Sequence, residues 1–170
     1  MRWRAWFLAL SVLLAAGGIV PLPRVSFAGD GKDESRIKAI VMDEIRAGIL
    51  QRSPDLYLKS YLPTATVFSF RTGPVDTVQY RKILADYFAT VEPKTVDCQF
   101  QDLRVEGDRA SMKVRFSEKG RSPDGSEYGE VFTRHFQLVR GGGVWRIETD
   151  GYNESLRQIE RMHGKPTGAQ

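Results

Sequence analysis

The sequence predicts an α+β fold, with helices in the first half packed on one face of an antiparallel meander formed by the second. Three observations carry this. Apolar residues recur at helical spacing as far as Val91, and at every second position from Thr95 onward. The two patterns are segregated along the chain, which favours α+β over a parallel βαβ sheet. Proline, glycine and aspartate fall at the joints between the patterned stretches.

The first helix is expected over Ser35–Leu50. Ile37, Ile40, Val41, Ile45 and Ile49 form its apolar stripe, and Arg36, Lys38, Asp43, Glu44 and Arg46 lie off it. Ser53-Pro54-Asp55 starts a short second helix, because serine caps free amides and proline suits the first turn. Tyr57 and Tyr61, four apart, share a face of that helix, and Pro63 ends it. Thr64–Phe70 is β-branched and aromatic, a strand, followed by the turn Arg71-Thr72-Gly73-Pro74. Asp76, with Gln79 three residues on, opens a third helix whose stripe is Tyr80, Ile83, Leu84, Tyr87, Phe88 and Val91; Pro93 stops it.

Val96, Cys98 and Phe100 then alternate with polar residues, and Leu103 and Val105 continue in the opposite parity. A β-bulge is therefore expected near Gln101–Asp102. Glu106-Gly107-Asp108 turns the chain into the strand of Met112, Val114 and Phe116, and residues 117–126 read as a long polar loop. The next strand carries Phe132, Arg134, Phe136 and Leu138 on one face and Val131, Thr133, His135 and Gln137 on the other. Gly141–Gly143 is a hairpin turn, and Val144–Thr149 is the last strand.

Residues 1–28 have the layout of a secretory signal peptide. Arg2 and Arg4 precede an apolar run from Ala5 to Val20, followed by Pro21, Pro23 and the small residues Ser26 and Ala28. Cleavage is expected after Ala28, giving a periplasmic or secreted protein. The run is shorter than the ~20 residues of a spanning helix; a retained anchor is the alternative. Residues 29–34 are expected as a flexible lead-in, 35–152 as the domain, and 153–170 as a tail, a short helix or disordered. The chain's net charge is +4, and removal of Arg2, Arg4 and Arg24 from its 25 basic residues leaves 22 against 21 acidic ones. So balanced a charge makes nucleic acid an unexpected partner. Cys98 is the only cysteine, so no intramolecular disulfide can form, and it reads as a small core residue. Two histidines and one cysteine, far apart in sequence, match no zinc spacing. "RGGGV" opens no helix and cradles no phosphate. No metal or cofactor is expected.

Four stretches, "DLYLKSYLPTATVFSF", "VQYRKILADYF", "LRVEGDRASMKVRF" and "VWRIETDGY", taken with this order of elements, resemble the nuclear transport factor 2-like, or ketosteroid-isomerase/SnoaL-like, superfamily. In particular they resemble its exported form, similar to domains appended to envelope L,D-transpeptidases. The resemblance covers Ser35–Tyr152. It implies a cone-shaped curved antiparallel sheet wrapped around three N-terminal-half helices, with a conical pocket. Isomerase members need a carboxylate general base just after the first strand. Here "VFSFRTGP" offers Arg71 and no acid, and Asp76 is better explained as a helix cap. This departure argues against isomerase chemistry.

Arg134 is the sharpest candidate. It shares a strand face with Phe132, Phe136 and Leu138, where a charge must be paired or sit at a pocket mouth. Asp102, beside the bulge, is one partner the sequence offers; Arg134 then either binds an anionic or polar ligand group, or is a structural ion pair or snorkels to water. Tyr57, Tyr61, Phe68, Tyr87 and Trp145 are expected to point inward, packing the core or lining a pocket. Trp145 is most simply a core anchor whose indole N–H finds one acceptor. His135 is expected on the outer face. The expected function is an exported, non-catalytic domain of the cell envelope that binds a small hydrophobic or anionic molecule, or an envelope protein. The alternatives are a SnoaL-like isomerase, cyclase or hydrolyase acting on a hydrophobic carbonyl compound, and a structural homodimer joined through the sheet.

Overall fold

The structure, a computed structural model, describes residues 31–69 and 72–152. Helix α1 (Gly31–Ala39) runs into a π-helical stretch, Ile40–Arg46, and out through α2 (Ala47–Leu50). Ile37, Val41 and Ile45 are completely buried along it. The helix begins inside the stretch expected as a flexible lead-in. Asp33 gives the reason: it pairs with Arg140 at 2.7 Å and accepts the indole N–H of Trp145 at 3.1 Å, which ties the first turn to the sheet.

The second helix is a single turn, α3 (Pro54–Tyr57), with the Ser53 Oγ accepting the Leu56 N–H at 3.2 Å. It is shorter than expected. Tyr61 opens β1 (Tyr61–Ser69) instead of closing the helix, because it pairs with Ile147 across the sheet. Gly48 lets α3 fold back against α2: a Cβ there would lie 2.6 Å from the Tyr57 nitrogen. β2 (Gly73–Val75) returns antiparallel on β1. α4 (Thr77–Thr90) follows, capped as expected by Asp76, whose Oδ1 accepts the Gln79 N–H at 2.7 Å.

β3 (Glu92–Glu106), β4 (Arg109–Arg121), β5 (Glu127–Gly141) and β6 (Val144–Tyr152) form the meander. The register shift between Phe100 and Asp102 is the expected bulge. The long loop expected over 117–126 is shorter, because β4 and β5 stay paired out to Arg121 and Glu127. Alternation persists there since Glu118 turns inward, where the Tyr87 and Tyr128 hydroxyls each donate to its Oε1 at 2.5 Å. The sheet order is β2-β1-β6-β5-β4-β3, and β1 joins β6 in parallel while its other pairings are antiparallel.

The result is a curved, unclosed six-stranded sheet whose inner face meets the helices. One cross-strand row of that inner face is Val105, Ala110, Leu138 and Ile147, all buried. The next rows hold Met112 and Phe136, then Val114 and Arg134. An arginine thus occupies a core position, 2% exposed.

Candidate functional site

Arg134 and Asp150 form an ion pair at the centre of the inner face. Arg134 Nε donates to Asp150 Oδ1 at 2.6 Å, and both side chains are buried. The second carboxylate oxygen, Oδ2, accepts the Tyr61 hydroxyl at 2.6 Å. Arg134 Nη1 donates to the Tyr80 hydroxyl at 3.1 Å. The guanidinium carbon lies 4.5 Å from the ring centre of Tyr152 and 5.6 Å from that of Tyr80, so the cation is sandwiched by aromatic faces. Tyr57 completes the cluster, with its ring centre 6.0 Å from those of both Tyr61 and Tyr80. Nη2 of Arg134 is buried and makes no hydrogen bond among the described residues.

Five elements supply these groups: α3 brings Tyr57, β1 Tyr61, α4 Tyr80, β5 Arg134, and β6 Asp150 and Tyr152. The position of Asp150 depends on a second bulge. Leu138 pairs with Ile147, but Gln137 pairs with Thr149, so Glu148 is an extra residue on β6. Strict alternation from Trp145 and Ile147 would have placed Thr149 inward and Asp150 outward. The bulge reverses the parity and swings Asp150 to the inner face, diagonal to Arg134, which itself pairs with Tyr152.

Burial pushes the Asp150 carboxyl up from its ordinary range, against the pull of Arg134 and of the two hydrogen bonds it accepts. Burial also works against the Arg134 charge, but Asp150 and the surrounding tyrosines outweigh it, and the guanidinium stays firmly protonated. Burial raises the Tyr57 and Tyr61 hydroxyls well above their usual value and Tyr80 to about 12. These three are therefore neutral donors or acceptors at physiological pH. Both Asp150 oxygens accept a hydrogen bond and the side chain has no exposed surface, so no substrate proton reaches it in this conformation.

Of the residues picked out from sequence, Arg134, Tyr57 and Tyr61 meet here and three do not. Asp102 is exposed and pairs with Arg104 at 3.4 Å. The bulge that was expected to aim it at Arg134 instead sets it opposite Lys113, on the outer face that carries His135. Phe68 is buried, but on the opposite face of β1 from Val67, the residue that pairs with Asp150. Trp145 is buried beside Asp33 and beneath the Arg140 guanidinium. It pairs with Arg140, six residues along β5 from Arg134, a separation of about 20 Å along a strand. Trp145 is thus the core anchor with one acceptor, remote from the ion pair. Tyr87 points inward to Glu118. Cys98 is half-buried, and burial pushes its thiol up to about 11, which makes it a poor nucleophile.

Sequence reasoning passed over Asp150, Tyr80 and Tyr152 as site residues. The one available signal was that Tyr152 breaks the parity of Trp145 and Ile147. Open hollows of about 280 Å3 near Arg104, Arg109 and Gln137, and of about 340 Å3 near Arg52, Thr90 and Arg121, include none of the central cluster. No group of three or more potential metal ligands occurs among the described residues.

A curved, unclosed sheet wrapped around helices from the first half of the chain defines the class as an α+β cone. Solved structures give the class its name. A conserved protein from Planctomyces limnophilus superposes with TM-score 0.65 at 10% identity, covering 72% of this chain and 95% of that one. A ketosteroid isomerase-like protein from Erwinia carotovora atroseptica does so with TM-score 0.63 at 11% identity, covering 72% and 95%. A hexachlorocyclohexane dehydrochlorinase gives TM-score 0.57 at 13% identity, covering 71% and 83%. No family model and no curated protein matches the chain. At such identities the likeness is one of fold: the chain has the nuclear transport factor 2-like, ketosteroid-isomerase-like cone.

Proposed function

We propose that this chain is an exported, non-catalytic binding domain of the cell envelope. The observation that carries the reading is the engagement of Asp150, the carboxylate at the centre of the inner face, by Arg134 and Tyr61 on both oxygens. A general base must lie within hydrogen-bond reach of the proton it removes, and here the acid is fully buried and paired with a buried cation. Export rests on the basic head, apolar run and small residues of positions 1–28, and on the resemblance to domains of envelope L,D-transpeptidases. One atom favours a second reading, a SnoaL-like isomerase, cyclase or hydrolyase: Nη2 of Arg134 is a buried donor free to meet a carbonyl oxygen.

Two measurements test this. Intact mass of the exported protein should begin at Gly29; a mass that includes residues 1–28 overturns cleavage. A β,γ-unsaturated ketosteroid followed by absorbance of its conjugated product should show no turnover above buffer. Turnover that disappears in Asp150→Asn, with the fold retained, would establish the enzyme instead.

A further inference from the structure

The outer face of β4 carries a charge pattern that the interior pair does not explain. β4 keeps unbroken register with β5, so Arg109, Ser111, Lys113, Arg115, Ser117, Lys119 and Arg121 all face outward. Five of these seven are cations. Arg109 pairs with Glu148 at 3.3 Å, while Lys113, Arg115, Lys119 and Arg121 form no ion pair among the described residues. Successive outward side chains on a strand are about 7 Å apart, and the row is about 40 Å long. Toward β5 it is bordered by Val131, Thr133, His135 and Gln137, opposite Ser117, Arg115, Lys113 and Ser111, with one carboxylate, Glu127, opposite Arg121 at the end of the row. Toward β3 it is bordered by Glu92, Asp97, Asp102 and Glu106, opposite Arg121, Ser117, Lys113 and Arg109.

These borders discriminate between partners. A planar anionic surface would meet the β3 carboxylates together with the cations and be repelled by them. A second copy placed face to face about a two-fold axis on β4 would set the row against its own like charges. A linear chain lying over β4 and β5 avoids both, and meets a single carboxylate, Glu127, beside Arg121 at the end of the row. An extended polypeptide presents alternate side chains about 7 Å apart, the same repeat as the cations. Val131, 57% exposed, adds an apolar contact on that track.

We propose that the outward face of β4 and β5 docks an extended acidic segment of another protein, whose alternate carboxylates meet Lys113, Arg115, Lys119 and Arg121. The proposal rests on the reading of the chain as a binding domain and names the partner. The two fail separately, since turnover reports on Asp150 and docking on β4. Each exposed contact is weak, so affinity comes from several together and is screened by salt.

The test uses the mature chain and a fluorescent alternating Glu-Ser peptide of about twelve residues, the length that spans β4. Anisotropy should show saturable binding at an ionic strength of about 0.01 M, where the Debye length is about 30 Å, and several-fold weaker binding at about 0.15 M, where it is about 8 Å. Lys113→Glu/Arg115→Glu should weaken binding about tenfold or more, given that reversal replaces attraction by repulsion at two positions, and leave the urea midpoint unchanged. Lys119→Gln/Arg121→Gln should give a smaller loss and serves if the first variant is unstable. Absence of binding at low salt, equal binding by both variants, or preference for phosphatidylglycerol vesicles or single-stranded DNA over the peptide would overturn it. So would a dimer that the charge reversal dissolves.

Discussion

Asp150→Asn keeps the side-chain shape at the centre of the molecule and removes its charge. The guanidinium of Arg134, 2% exposed, then has no counter-ion, because Tyr80 and the aromatic rings supply only dipoles and quadrupoles. The asparagine must also point its NH2 group at either Arg134 Nε or the Tyr61 hydroxyl, both of which donate in the wild type. Breaking a buried pair from one side costs about 3–5 kcal/mol. The lower end is expected, since burial already offsets part of the attraction by pushing the Asp150 carboxyl up. A loss of about 3 kcal/mol at a typical urea slope of about 1.5 kcal/mol/M lowers the midpoint by about 2 M. In a chain expressed from Gly29 onward Trp145 is the sole tryptophan and is buried away from the mutation, so its fluorescence reports global unfolding. Asp102→Asn is the control: its exposed pair with Arg104 is worth less than about 1 kcal/mol. An Asp150→Asn loss under about 1 kcal/mol, or one no larger than the control's, would refute the ion pair as the organiser of the inner face.

Two further outcomes follow from the packing. Burial raises the Glu118 carboxyl above its ordinary range even though Tyr87 and Tyr128 donate to it. The folded state therefore holds this proton more tightly than the unfolded one, and the group's contribution to stability is full below pH 4.5 and falls as pH rises through the folded value. Glu118→Gln should gain stability relative to the wild type between acid and neutral pH in urea titrations, and a difference that stays flat or runs the other way contradicts the assignment. Gly48→Ala should cost about 1–3 kcal/mol by forcing α2 away from the Tyr57 backbone; a neutral thermal shift would mean that α3 does not dock as described.

Much of the fold was legible because its determinants are local. The Asp76 cap, the β3 bulge and the glycine turn between β5 and β6 each depend on a few neighbouring residues, and each lies where alternation, capping chemistry or backbone freedom places it. The errors arise where distant residues decide. α1 extends to Gly31 because Asp33 finds Trp145 and Arg140, more than a hundred residues away. β4 runs past Ser117 because a glutamate, a residue depleted in strands, meets two tyrosines, one from α4 and one from β5. The π-helical stretch carries no recognised sequence signal.

The candidate site divides in the same way. Alternation along β5 set Arg134 among aromatic side chains and His135 on the opposite face, and the unfavourable energy of an isolated buried charge called for a counter-ion or a pocket mouth. The sequence by itself therefore determined that a cation on the apolar face is either paired or placed at a pocket mouth, and the structure shows it buried and paired. Which acid is the partner depended on two bulges of opposite consequence. The bulge in β3 leaves Asp102 outside, and the extra residue in β6 brings Asp150 inside. Parity along a strand is a local property until a bulge intervenes, and where β6 bulges is decided by its pairing with β5 on one side and, in parallel, with β1 on the other. Only the tertiary structure holds that information, and it alone brings Tyr57, Tyr61, Tyr80 and Tyr152 around the pair.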